Sequence, residues 1–465
     1  MDETVGLRTR VLSVWRRVFD LSWPVMAEQV LRTLMRTTDI IVAGFFSPAA
    51  VAAIGLADIY GRLPLWLGLG VGDGAIALSS QDTGSGAGTN RDQAVSQALL
   101  LGALAGIPFV LFGLVFSYSA IEVLGADSEV VRIGGLYLTI ILLTAPAYHV
   151  TLIASRSIQG TGDTRTPMYA NGVANVLNIS GTVALAFGLG PFPELSVIGI
   201  AAATAVSDTL AALILVGAIV HSRSELSLVR PTDLTIAKQL VVISAPRVGE
   251  GLTEVVAEFP FNAILLAFGT EVNAAYHIGR RMEQQIASPL SRGYATAASI
   301  LAGQSLGRGE GEKAYFDGWA AASLSVLTVG GLGLVLVAGA EWFVLAFTRD
   351  PATIEYATAF ARTYGIAAFF IALYVVISGS LRGGSETLSP FLAKLSGTVL
   401  CLLGISYVFG IQLEYGVLAA YVAIVADLVW RNLIVGAVYY RGNWIARGTR
   451  MMSDRGSIGS GGGED

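Results

Sequence analysis

Four ionisable residues near the amino end, Glu28, Arg32, Arg36 and Asp39, are spaced by four, four and three positions. On an α-helix that spacing puts all four on one face. A second set, Glu250, Glu254 and Glu258, repeats every four residues. Both sets lie in stretches otherwise rich in apolar side chains. Ionisable groups in such a setting are costly, and they mark ion or ligand pathways or pair with one another. A carboxylate such as Asp39 can be neutralised by taking a proton or by binding a hard cation. The glutamate stripe could attract a cationic compound or pass protons. The structural alternatives are an Arg36–Asp39 salt bridge, and pairing of the glutamates with Arg247, Arg280, Arg281 or Arg292. Asp58 with Arg62 and Asp427 with Arg431, each one turn apart, read as intrahelical pairs. Asp73 sits in the small-residue run GLGVGDGA, which suits close helix packing, and His149 and His277 read as core histidines.

The elements that position these residues are membrane helices. The chain has 465 residues, of which 54% are hydrophobic and only 14% charged, against about one quarter charged in a typical soluble domain. Its mean hydropathy is +0.65. Residues 99–117, 133–148, 322–340 and 395–411 carry no charge, and about 20 mostly apolar residues cross a bilayer. The pattern predicts twelve helices at 18–45, 49–80, 93–117, 130–155, 167–190, 194–221, 236–268, 272–305, 315–347, 353–380, 389–410 and 414–440. Pro24, Pro64, Pro108, Pro246, Pro260 and Pro289 fall inside these spans, where they mark bends. With both termini cytoplasmic, eighteen Arg and Lys residues gather at inner loops and ends, against Arg132 and Arg349 outside. That is a strong positive-inside bias. Residues 1–17 read as a basic amphipathic lead-in at the headgroups, and no cleaved signal peptide is expected. The single cysteine, Cys401, excludes an intrachain disulfide.

The chain also repeats itself. Ser157-Ile-Gln-Gly-Thr-Gly-Asp-Thr recurs 223 residues later as Ser380-Leu-Arg-Gly-Gly-Ser-Glu-Thr, and each is followed by a proline, Pro167 or Pro390. Gln81 and Gln304 share the offset, as do Asp127 and Asp350, while Pro24 and Pro246 differ by 222. Several matches at one offset argue for duplication. The expected fold is all-α and polytopic: two six-helix lobes related by pseudo-two-fold symmetry along the membrane normal. The expected divisions are a cytoplasmic segment 1–17, an N-lobe 18–221, a linker 222–235, a C-lobe 236–445 and a disordered cytoplasmic tail 446–465.

Several stretches together resemble the MATE family of multidrug and toxic compound extruders, over residues 20–440. They are LSWP at 21–24 with Asp39 and Gly44, AVAAIG at 50–55, ISAP at 243–246, FGTEVNAAYHIG at 268–279, ILAGQSLGRGEGEKA at 300–314, and the pair QGTGDTRTP and RGGSETLSP. The likeness is to prokaryotic members, archaeal ones included. It implies two lobes around a cavity open alternately to each side, and antiport of amphipathic, often cationic, compounds against Na+ or H+. Asp39 matches the first-helix aspartate at which such proteins are thought to bind a cation. Asn178 and Thr204 on the fifth and sixth predicted helices offer oxygen ligands beside it for Na+. Thr182 stands where relatives carry a further aspartate, and Asp208 is the candidate replacement. Glu254 matches a glutamate of the second lobe in some members, whereas 365–379 lacks the acidic residue others carry there. Glu28, Arg32, Arg36, Glu250, Glu254 and Glu258 are the candidate cavity residues.

A monomer in the plasma membrane follows, with small-molecule substrates, no nucleic acid and no cofactor beyond the coupling ion. The main rival is a flippase or exporter of a lipid-linked or anionic substrate, which Arg32, Arg36, Arg280, Arg281 and Arg292 would suit through bidentate phosphate contacts. An enzyme is not expected: HExxH and Walker A sequences are missing.

Overall fold

A computed structural model describes residues 6–222 and 224–456, all helix and connection with no strand among them. The helices are α1 (Leu7–Gly44), α2 (Pro48–Gly61), α3 (Leu63–Ser85), α4 (Gly88–Glu122), α5 (Ser128–Leu143), α6 (Ala145–Gly160), α7 (Arg165–Phe187) and α8 (Val197–Val220). After a connection follow α9 (Leu234–Phe268), α10 (Thr270–Gly307), α11 (Gly311–Val344), α12 (Pro351–Gly383), α13 (Leu388–Ser396) with its wide π-helical continuation Gly397–Gln412, α14 (Val417–Arg441) and α15 (Asn443–Asp454). Three pairs count as single passes: α2 with α3, α5 with α6, and α13 with its continuation. With α15 set aside, the described residues then make twelve passes, six in each half.

Two expected helices are broken where the sequence weakens them. The span expected at 49–80 parts at Arg62, two residues before Pro64, and the span expected at 130–155 bends by 47° at Thr144, two residues before Pro146. Proline lacks an N–H and crowds the preceding turn, which favours a break, although Pro24, Pro108, Pro246, Pro260 and Pro289 lie inside continuous helices. Ten of the twelve passes are long and apolar enough to cross a membrane by length and composition; α1 and α10 are too polar to qualify.

Contacts divide the described residues into two units. The first runs over Ala27–Ser79 and Ala87–Ser244; the second holds Ser80–Gly86, everything described before Ala27 and everything described from Ala245 onward. In the first, α2, α5 and α8 close on a core that includes Ile121, Leu138 and Ile200. Within the expected linker 222–235, residues 224–233 are strapped along the start of α4: Gln93 donates to the Arg230 carbonyl and Gln97 to that of Asp233, both at 2.8 Å. In the second unit, α10, α11 and α12 pack around Ala298, Ala321 and Ile377. The tail expected to be disordered from 446 is helical as far as Asp454. It is amphipathic, with Trp444, Gly448 and Met452 buried, and a buried apolar face is what a disordered segment lacks. Residues 457–465 lie outside the described set.

The 223-residue repeat appears as equal work done in each half. Asp127 caps α5 by accepting the Glu129 and Val130 N–H groups at 3.0 Å, and Asp350 caps α12 by accepting that of Thr353 at 2.8 Å. Asp163 accepts the N–H of Thr166 at 2.9 Å at the start of α7, and Glu386 that of Ser389 at 2.9 Å at the start of α13. Carboxylates there satisfy donors that a helix start leaves unpaired. A Cβ on Gly160 would meet the Ile76 carbonyl at 3.1 Å, and one on Gly383 would collide with that of Ser299, 223 residues further along each helix pair.

Candidate cation site

The site lies in the first unit, where α1, α7 and α8 converge. Asp39 is buried on α1 and accepts a 3.0 Å hydrogen bond from the Thr182 hydroxyl of α7. Thr182 also stands 3.5 Å from Asn178 Oδ1, one turn earlier on the same helix. The Asn178 amide nitrogen donates to Thr204 and Ser207 of α8 at 3.1 Å each. Those two hydroxyls send their own protons to backbone carbonyls, at Ile200 and Thr204. They therefore act as acceptors toward Asn178, which orients its Oδ1 toward Thr182 and Asp39. Asn178 and Thr182 are fully buried.

Chemically, every donor in this chain is committed while acceptors remain. Among the described residues, nothing donates to the second carboxylate oxygen of Asp39, and Arg36 makes no ion pair with it. Oxygen-only surroundings with one negative charge suit a proton or a hard monovalent cation. No group of three His, Cys, Asp or Glu residues able to hold a metal occurs among the described residues, so a transition-metal centre does not fit.

The sequence set Asp39, Asn178 and Thr204 is brought together, with one difference. Thr204 meets Asn178 on the nitrogen side, so Asn178 separates it from Asp39, and Thr182 is the direct partner. The residue read as a lost ligand is therefore in contact with the carboxylate. Ser207 was not singled out from sequence; its signal was the i, i+3 spacing from Thr204. Asp208 makes no hydrogen bond to Asn178 through its carboxylate; its charged neighbours are Arg32 and Arg36, and its carbonyl accepts from Thr151 at 3.2 Å. Glu28 is buried, with the Asn171 amide donating to it at 3.1 Å and Arg32 at 3.6 Å. Arg36 is exposed.

The glutamate stripe of α9, in the second unit, is spoken for. Glu250 sits between Arg247 at 2.8 Å and Arg382 at 2.9 Å. Glu254 receives Lys394 at 2.6 Å and Arg280 at 3.5 Å, and Glu258 receives Arg280 at 3.1 Å. Asp427 and Arg431 form the expected intrahelical pair, which Thr398 extends at 3.1 Å from Arg431. Pairing with Arg247 and Arg280 was expected as the structural alternative. Arg382 and Lys394 are distant in the chain, and nothing local in the sequence connects them to α9. His149, as a core histidine should, spends its ring nitrogens on two carbonyls, Gly102 at 2.9 Å and Pro64 at 2.8 Å.

This fold and its repeated halves match known proteins over nearly the whole chain. The MatE family profile matches residues 24–183 and 246–408. The chain belongs to the MatE family. It is 27% identical over 457 residues to the probable multidrug resistance protein NorM of Thermotoga maritima, covering 95% of each chain. It is 21% identical over 442 residues to the uncharacterized transporter YisQ of Bacillus subtilis, covering 93% of this chain and 95% of that one. A solved MATE in complex with MaD3S superposes with a TM-score of 0.85 at 20% identity, over 93% of this chain and 96% of that one. The eukaryotic MATE transporter AtDTX14 does so with a TM-score of 0.83 at 14% identity, over 96% and 99%.

Proposed function

We propose that this chain is a secondary active multidrug exporter. It extrudes amphipathic, often cationic, compounds by alternating access, coupled to inward movement of Na+ or H+ at Asp39. The observation that supports this most directly is the chemistry around Asp39: a buried carboxylate whose hydrogen-bond partner is a neutral hydroxyl, next to the outward-turned carbonyl of Asn178. A charge held at membrane depth without a fixed counter-charge invites a mobile one. When the cation binds, Asp39, Thr182 and Asn178 draw together, and α1 and α7 with them. A compound bound more tightly by the cation-free arrangement is then released, and by linkage its binding expels the cation. The protein sits in the plasma membrane with both termini cytoplasmic, as its charge distribution favours.

The rival, export of an anionic or lipid-linked substrate, needs guanidinium groups to spare. Two of the five that would serve it, Arg32 and Arg280, are instead committed to Glu28, Glu254 and Glu258. The deciding experiment is dye export from proteoliposomes under a sodium gradient and a proton gradient imposed separately. One gradient should drive export and Asp39→Asn should abolish it. Export unaffected by Asp39→Asn, or driven by neither gradient, would sink the assignment.

A further inference from the structure

The carboxyl end of the described chain turns back into the protein. α15 seats Trp444, Gly448 and Met452 in the second unit, and Arg447 pairs with Glu386 at 3.0 Å. Just past its end, Arg455 points inward. Its guanidinium and the Asp82 carboxylate that receives it are both fully buried. Nε and Nη2 donate to Asp82 Oδ1 at 3.0 and 2.7 Å, and Nη2 donates to Gln81 Oε1 at 3.0 Å. The Gln81 amide nitrogen in turn donates to the Gly383 carbonyl at 2.7 Å and the Ser385 hydroxyl at 3.0 Å.

The socket is thus made from the end of α3, within Ser80–Gly86, and this stretch belongs to the second unit while the rest of α3 belongs to the first. Every polar edge of the guanidinium that these bonds use meets a geometrically matched acceptor. Removing either charge would leave the other buried and uncompensated. The repeat does not supply this feature twice. Gln81 corresponds to Gln304, but Asp82 corresponds to Ser305, whose hydroxyl accepts from Arg308 at 3.2 Å. A device in one half only, on a helix where the chain passes between units, is not explained by the duplicated scaffold or by the cation site.

We propose that Arg455 is a latch: a guanidinium carried on the carboxyl-terminal segment that occupies the Asp82–Gln81 socket and holds the end of α3 in its present seat. It must leave before that end can be reseated. The moment of release rests on the alternating-access reading above; the latch itself does not.

The test uses the full chain in proteoliposomes, with Cys401→Ser and a reporter Ser85→Cys, and reads the rate of alkylation by a water-soluble maleimide. Arg455→Ala should speed labelling about tenfold, within the range that coupling between sites usually spans. A chain ending at Asp454 should do the same. Asp82→Asn should match them, and Asp82→Asn with Arg455→Ala should be no faster than either alone. Arg450→Ala, exposed on the same helix, should change nothing. The latch is overturned if removing Arg455 by substitution and by truncation leaves labelling unchanged, or if Arg450→Ala has an equal effect. Because labelling needs no gradient and no substrate, absent dye export would defeat the proposed function while leaving this result intact.

Discussion

The Asp39 site of the first unit and the acidic residues of the second are treated in opposite ways. In the second, Glu250, Glu254, Glu258 and Asp427 each face an arginine or lysine supplied by the protein. In the first, Glu28 has Arg32 at 3.6 Å, yet the hydrogen-bond partner of buried Asp39 is the neutral Thr182. A permanent counter-charge settles a carboxylate once and for all, and the network becomes structure. A neutral hydroxyl settles only half the problem, and on the function proposed above the remaining charge is met by a cation that arrives and departs. The number of acidic residues is therefore a poor guide to where coupling happens; the identity of their neighbours is a better one.

The largest effect that could break this contrast comes from Asp39→Asn. It should reduce gradient-driven dye export in vesicles to background, while Glu254→Gln retains measurable export per folded molecule; the reverse result would put coupling in the second unit. Next in size is Glu250→Ala. Leaving Arg247 and Arg382 without their shared carboxylate should cost about 3–5 kcal/mol of stability, seen as a lower unfolding midpoint in detergent. Replacing the Lys394–Glu254 pair by Met and Leu together should cost far less, because no charge is stranded. Thr182→Val sharpens the other side. Losing a hydrogen bond to a charged acceptor, about 1.5 kcal/mol, should move the cation concentration for half-maximal export about tenfold without destroying export. An unchanged concentration would mean that Thr182 does not serve the site.

The smallest effect belongs to a carboxylate outside the helices, at the α12 cap. The Thr353 hydroxyl and N–H hold the Asp350 carboxyl below the usual carboxylate range. A lowered folded value means the cap contributes at neutral pH, and that contribution fades only as pH falls through it. Asp350→Ala should thus lower the melting midpoint slightly at pH 7 and make no difference in strong acid, as a pair of thermal scans would show.

Much of the architecture was legible because lipid imposes one simple demand, long apolar helices, and because the repeat ties one half to the other. Pro64 marked where one pass breaks, while Pro146, beside the other break, was not singled out; Asp127 and Asp350 shared an offset before either was seen to be a cap. The interior pairings were less legible. Arg382 reaches Glu250 across 132 residues and Lys394 reaches Glu254 across 140, and no local spacing reports such a meeting. Thr182 was misjudged for a related reason: compared with an aspartate it looked like a loss, whereas its geometry makes it the donor that Asp39 uses. The tail was misjudged on composition, since its Gly- and Ser-rich end hid the Trp444, Gly448 and Met452 stripe of α15.

The charges of α1 also bear on how the protein is made. At the centre of a bilayer each Asp, Arg or Lys costs roughly 2.5–3.5 kcal/mol on the scale set by the insertion machinery, and α1 carries Glu28, Arg32, Arg36 and Asp39. Its polar partners Asn171 and Thr182 lie 143 residues further on, in α7. α1 is thus synthesised well before the α7 partners of Glu28 and Asp39. Until that fifth-pass helix has been synthesised, no α7 side chain offsets the cost of those two carboxylates in lipid.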